Sequence, residues 1–111
     1  MDEPLIDSTV FSELADSVGA DFVRELVETF AAEATTMRCE LRAAYEARDA
    51  ERFRRAAHSL KSNAQTFGAR RLADAARSLE LGGLPSDAAP LDALEAELAK
   101  GLAALVERAG G

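Results

Sequence analysis

The chain has 111 residues, a formal net charge of −7 and a hydrophobic content of 48%, a length and composition that suit one folded domain and exclude a disordered chain. Only 5% of the residues are aromatic, while Ala, Leu, Glu and Arg abound, which favours helices over strands. The acidic balance argues against a general nucleic-acid binder.

Cys39 is the only cysteine, so neither an internal disulfide nor a CxxC metal or redox motif can form. A reducing, cytoplasmic setting follows as the expectation. The start, Met1-Asp2-Glu3-Pro4, lacks the basic and apolar runs of a signal peptide, and no apolar stretch approaches the roughly 18 residues of a membrane span.

Five helices are predicted in chain order. Asp7 and Ser8 are good N-caps for a short helix over about 8–18, with Val10, Phe11, Leu14 and Val18 at helical spacing and Gly19 closing it. A long helix over about 20–48 carries the stripe Val23, Leu26, Phe30, Ala34, Met37, Leu41 and Ala44. Asp49 caps a third helix over about 50–67, whose apolar face holds Phe53, Ala56, Leu60, Ala64 and Phe67. Gly68 breaks that pattern, and a fourth helix over about 69–81 buries Leu72, Ala75, Ala76 and Leu79. After the turn Gly82-Gly83-Leu84-Pro85-Ser86, a fifth over about 88–108 presents Leu91, Leu94, Leu98, Leu102 and Leu105. Short connections make neighbours antiparallel, so the expected fold is all-α: one domain over 1–111, an antiparallel up-down four-helix bundle with a short extra N-terminal helix.

His58 is the sole histidine. At about 100° per residue, with Phe53 at zero, it falls near 140°, away from the apolar face and among Arg54, Lys61, Ser62 and Gln65. The ring is therefore expected in water. A solitary surface histidine is commonly idle, but these neighbours suit chemistry on an imidazole whose ordinary pKa of about 6.5 leaves it nucleophilic near neutral pH. Lys61, three residues on, can bring a cation over the ring, and Ser62, four on, is small enough to leave it open. Gln65 lies in line two turns away and can hydrogen-bond an oxyanion. Residues 52 to 73 hold six bases, Arg52, Arg54, Arg55, Lys61, Arg70 and Arg71, and no Asp or Glu, giving +6 there and −13 elsewhere. Arg54 and Arg55 are thus expected to form a basic docking surround for an acidic partner, with no carboxylate by the ring to serve as general base and no metal site.

The run Ala57-His58-Ser59-Leu60-Lys61-Ser62, with Gly68 ten residues after the histidine, Leu72 and Arg77-Ser78-Leu79-Glu80 downstream, and Arg48-Asp49-Ala50 before Arg54-Arg55-Ala56, resembles histidine-containing phosphotransfer (HPt) domains over roughly residues 5 to 108. The resemblance implies a phosphorelay intermediate: His58 accepts a phosphoryl group from the aspartyl-phosphate of a response-regulator receiver domain and passes it to another receiver aspartate. It implies that Lys61 helps neutralise the phosphoryl group, Ser62 gives access and Gly68 permits the exit from the helix. Ser62 stands where many members have glycine, and Asn63 where serine or alanine is usual. The implied partners are receivers and a hybrid sensor histidine kinase. No cofactor is expected on this chain, with Mg²⁺ on the receiver. Without a GxxxxGK[ST] loop the expected role is a covalent phosphocarrier, not an autokinase.

The chief alternative is a non-transferring bundle that docks on a two-component protein as adaptor or inhibitor. A helix-turn-helix reading of residues 65 to 71 conflicts with the net charge and with the packing expected of Phe67 and Leu72. A monomer is expected, for want of a second apolar stripe.

Overall fold

The computed structural model describes residues 4–110; Met1, Asp2 and Glu3, part of the acidic start read above, and Gly111 lie outside the described residues. The described residues form five helices: α1 (Ser8–Val18), α2 (Ala20–Glu46), α3 (Ala50–Thr66), α4 (Arg70–Gly82) and α5 (Ala89–Gly110). No described residue is in a strand.

The caps explain where the helices begin and end. Asp7, rather than Ser8, is the N-cap of α1, its Oδ1 accepting from the amides of Thr9 at 3.0 Å and Val10 at 3.3 Å. Gly19, at φ 93°, serves two helices: its amide donates to Ala15 O and its carbonyl accepts from Val23 N. Helix α2 stops two residues short of the expected Arg48, because Arg48 takes the left-handed conformation at φ 56°. The Arg48 guanidinium offsets that strain by lying 5.3 Å from the centre of the Tyr45 ring and donating to Pro85 O at 3.1 Å. Asp49 then caps α3 through Arg52 N at 3.1 Å.

Each long helix packs on two neighbours: α2 on α3 and α5, α4 on α3 and α5. That closed ring is the expected all-α four-helix bundle, and α1 lies against α2 and α3. The large buried side chains inside it include Phe30, Phe53, Leu60, Leu72, Leu91 and Leu105, each worth about 1.5–3 kcal/mol on removal from water. Phe30 stacks on Phe67 with ring centroids 5.1 Å apart. The buried arcs are turned from two of the predicted stripes: Val27 and Ala73 are packed away where Leu26 and Ala75 are half-buried. A helix flanked on two sides buries a broader arc than a single stripe describes.

Gly68 closes the α3–α4 connection at φ 75°. Its carbonyl accepts from the amide of Asp7 at 2.7 Å, and a Cβ there would stand 2.9 Å from Asp7 O and 3.0 Å from Val10 Cβ. The glycine thus does more than release the chain from α3, because it also lets α1 sit against that turn.

Candidate functional site

His58 projects from the middle of α3 with its side chain 53% exposed, directly after the fully buried Ala57. Its Nδ1 lies 2.7 Å from Oε2 of Glu80 on α4. The other oxygen of that carboxylate, Oε1, lies 2.7 Å from Lys61 Nζ. This second contact is a close but poorly directed ion pair: Oε1 is buried and receives charge neutralisation rather than a well-aligned hydrogen bond. The Lys61 ammonium, and after it the His58 ring, hold the Glu80 carboxyl below the usual carboxylate range.

The expectation of a carboxylate-free surround is therefore overturned. In sequence Glu80 is 22 residues from His58, in the segment Arg77-Ser78-Leu79-Glu80, and its role is tertiary. Helices α3 and α4 fold back about Ala69, and His58 and Glu80 stand eleven residues on either side of it. Counting outward from the Gly68-Ala69 break would have paired them.

The basic patch is also corrected. Each of its six bases has a carboxylate partner: Arg52 with Glu40 at 3.1 Å, Arg54 with Glu51 at 2.8 Å, Arg55 with Glu51 at 3.5 Å, Lys61 with Glu80 at 2.7 Å, Arg70 with Asp7 at 3.6 Å and Arg71 with Glu97 at 2.7 Å. Counting charge along the chain missed this because four of the five carboxylates come from other helices or from the α1 cap. The surface by His58 is salt-bridged rather than a bare positive field.

The remaining candidates fall into distinct places. Ser62 is exposed on the turn after His58 and places no bulk beside the ring. Asn63 turns its amide along α3, donating to Ser59 O at 2.9 Å. Gln65 makes no hydrogen bond to the His58–Glu80–Lys61 cluster and lines a recess with Asp7, Gly68 and Asp74. Arg54 grips Glu51 at two points, Nη2–Oε1 at 2.8 Å and Nε–Oε2 at 3.4 Å. Arg55 borders a shallow groove between α2 and α3 with Met37, Ala56 and Ser59. Among the described residues no group of three or more His, Cys, Asp or Glu could hold a metal ion, and no helix is long and apolar enough to cross a membrane.

This arrangement sets the tautomer. An ionised Glu80 can only accept, so Nδ1 carries the proton and donates it, and the lone pair of the neutral ring is on Nε2. No described residue bonds Nε2. The site is a nucleophilic nitrogen held outward by a carboxylate behind it.

No curated protein matches the chain. Among solved structures, histidine-containing phosphotransfer protein B (HptB) from Pseudomonas aeruginosa PAO1 is similar, with a TM-score of 0.79 and 26% sequence identity over 98% of this chain and 94% of that one. The model of the Hpt domain family matches residues 25–107, from the second turn of α2 into the last turns of α5 and including the whole His58 site. Family members are phosphocarriers in two-component signalling, interacting with receiver domains and kinases. An exposed histidine on a closed four-helix bundle, the similar solved fold and a family match over most of its length together make this chain a member of the Hpt domain family, with histidine phosphotransfer in a phosphorelay as its class of function.

Proposed function

We propose that His58 takes a phosphoryl group from the aspartyl-phosphate of one receiver domain and delivers it to the aspartate of another. The observation that carries this reading is the hydrogen bond at Nδ1, which leaves Nε2 as the free nucleophile on an exposed helix face. In the forward step a bond forms between Nε2 and phosphorus while the bond from phosphorus to the aspartate oxygen breaks, and the aspartate leaves as a carboxylate. The ring becomes cationic with its proton still on Nδ1, and Glu80 stabilises that charge across 2.7 Å. The return step reverses these bonds at a second aspartate. Positioning and charge dominate phosphoryl transfer, so little further machinery is required of this chain, and Mg²⁺ is supplied by the receiver.

Glu80 does not become a base for water. Oε2 is committed to Nδ1 and Oε1 is buried beside Lys61, which favours a persistent phosphohistidine over hydrolysis. A cytoplasmic monomer that meets receivers and a hybrid sensor kinase in turn fits this role.

Incubation with phosphorylated receivers of the same organism tests the proposal. Acid-labile, alkali-stable phosphate is expected on this chain and not on His58→Gln. No transfer from any receiver would refute it, and full signalling by His58→Ala would put a non-transferring adaptor in its place.

A further inference from the structure

Two cations stand on the same side of His58. At about 100° per residue, Arg54 and Lys61 fall about 40° and 60° to one side of it along α3, and Arg55 and Ser62 fall to the other. Glu80 lies on the Arg54 and Lys61 side, since it bonds both His58 and Lys61. Helical side chains lean toward the N-terminus, so the His58 ring leans over the turn that carries Arg54.

The two cations differ in how firmly they are held. Lys61 and Glu80 form an enclosed pair, with side chains 19% and 11% exposed. Withdrawing Lys61 would strand the buried Glu80 Oε1. Arg54 and Glu51 form an open pair three residues apart on one helix, with side chains 50% and 58% exposed, the kind of contact that water and salt weaken readily. If Arg54 left, Glu51 would still have Arg55 at 3.5 Å. Arg54 already presents two nitrogens to two carboxylate oxygens, the fork that suits two phosphoryl oxygens equally well.

We infer that Arg54, rather than Lys61, is the cation that closes on a phosphoryl group carried at His58 Nε2, exchanging the Glu51 carboxylate for phosphoryl oxygens while Lys61 stays on Glu80 as a positioning residue. The exchange makes and breaks only ion pairs, and it rests on His58 being the phosphorylated residue. Arg54 is within electrostatic reach of the cluster: its pKa is raised chiefly by the hydrogen bond to Glu51, with the charge of Glu80 contributing in the same direction. The six paired bases thus include one poised to change partner.

The full chain, phosphorylated on His58 by phosphoramidate or by a phosphorylated receiver, provides the test. The ³¹P shift of the phosphohistidine is titrated in wild type, Arg54→Gln, Arg54→Lys and Lys61→Gln, and the ¹⁵N resonances of the Arg54 guanidinium and the Lys61 ammonium are followed before and after phosphorylation. A cation on the phosphate favours its dianion, so Arg54→Gln raises the phosphate titration by several tenths of a pH unit or more and Arg54→Lys largely restores it. Phosphorylation shifts the Arg54 guanidinium signals and leaves the Lys61 ammonium in place, a readout that does not depend on any variant folding. An unchanged titration in Arg54→Gln, or a phosphorylation-dependent shift at Lys61 and none at Arg54, overturns the assignment while leaving His58 as the carrier. Failure of wild type to take phosphate from either donor removes the carrier reading and this inference together.

Discussion

His58 Nδ1 and Glu80 Oε2 meet at 2.7 Å across the α3–α4 hairpin, and the bond settles which ring nitrogen is free. Replacing Glu80 by Leu removes both the acceptor and the charge. Phosphoryl uptake from a receiver is expected to slow by about tenfold or more, on the analogy of carboxylates that orient metal-bound imidazoles, whose loss costs roughly 10–100-fold. Glu80→Gln keeps an acceptor oxygen and is expected to fall between Leu and wild type. Initial transfer rates that are equal in wild type and Glu80→Leu would refute a role for the bond.

The same carboxylate makes stability depend on acid. Its folded-state pKa is depressed, first by Lys61 and then by His58, whereas in the unfolded chain it titrates near the ordinary value of about 4.3. A depressed pKa contributes stability above the unfolded value, and the contribution is lost as pH falls through the folded one. Glu51, lowered chiefly by its hydrogen bond to Arg54, acts in the same direction. The urea midpoint of wild type is expected to drop as pH is lowered from about 5 to 3, and that of Glu80→Gln to drop less. Parallel curves would mean that the Glu80 carboxyl titrates alike in the folded and unfolded chains, and would refute a stabilising cluster.

Periodicity was enough to put His58 on the wet face of α3, because a ring near 140° from Phe53 has nowhere in the core to go. Local chemistry likewise located the breaks at Gly19, Asp49 and Gly68, where a cap or a left-handed residue acts on its own neighbours. What composition along the chain could not convey was charge pairing across it. Arg71 finds Glu97 and Lys61 finds Glu80 only after α4 has folded against α3 and α5. For the same reason a +6 segment became a salt-bridged surface. The early stop of α2 rests on Arg48 taking the left-handed conformation, with its amide and that of Asp49 donating back to Tyr45 O and Ala44 O, and an arginine does not mark such a turn as a glycine does.

Gly68 couples a backbone demand to a steric one. An alanine there would have to hold φ 75° and place its Cβ 2.9 Å from Asp7 O. The left-handed conformation costs roughly 1–2 kcal/mol and the overpacking roughly 1–3, so Gly68→Ala is expected to destabilise by about 2–5 kcal/mol in urea unfolding. A Gly68→Ala loss no greater than about 1–2 kcal/mol, the conformational cost alone, would mean that α1 does not press on the turn.

Gly101 offers the opposite outcome. It is buried in the interior of α5 with no positive φ, and a Cβ built there would meet Leu72 Cδ2 at 3.8 Å and Cβ at 3.9 Å, ordinary van der Waals contact. Alanine in a helix interior is favoured over glycine by roughly 0.5–1 kcal/mol, because the unfolded glycine has more freedom to lose. Gly101→Ala is therefore expected to raise Tm by about 2–6 °C for a domain of this size. Since α5 contributes nothing to the His58–Glu80–Lys61 cluster, phosphoryl uptake should be unchanged. A lowered Tm would show that α4 and α5 approach too closely at Leu72 to admit even one methyl group.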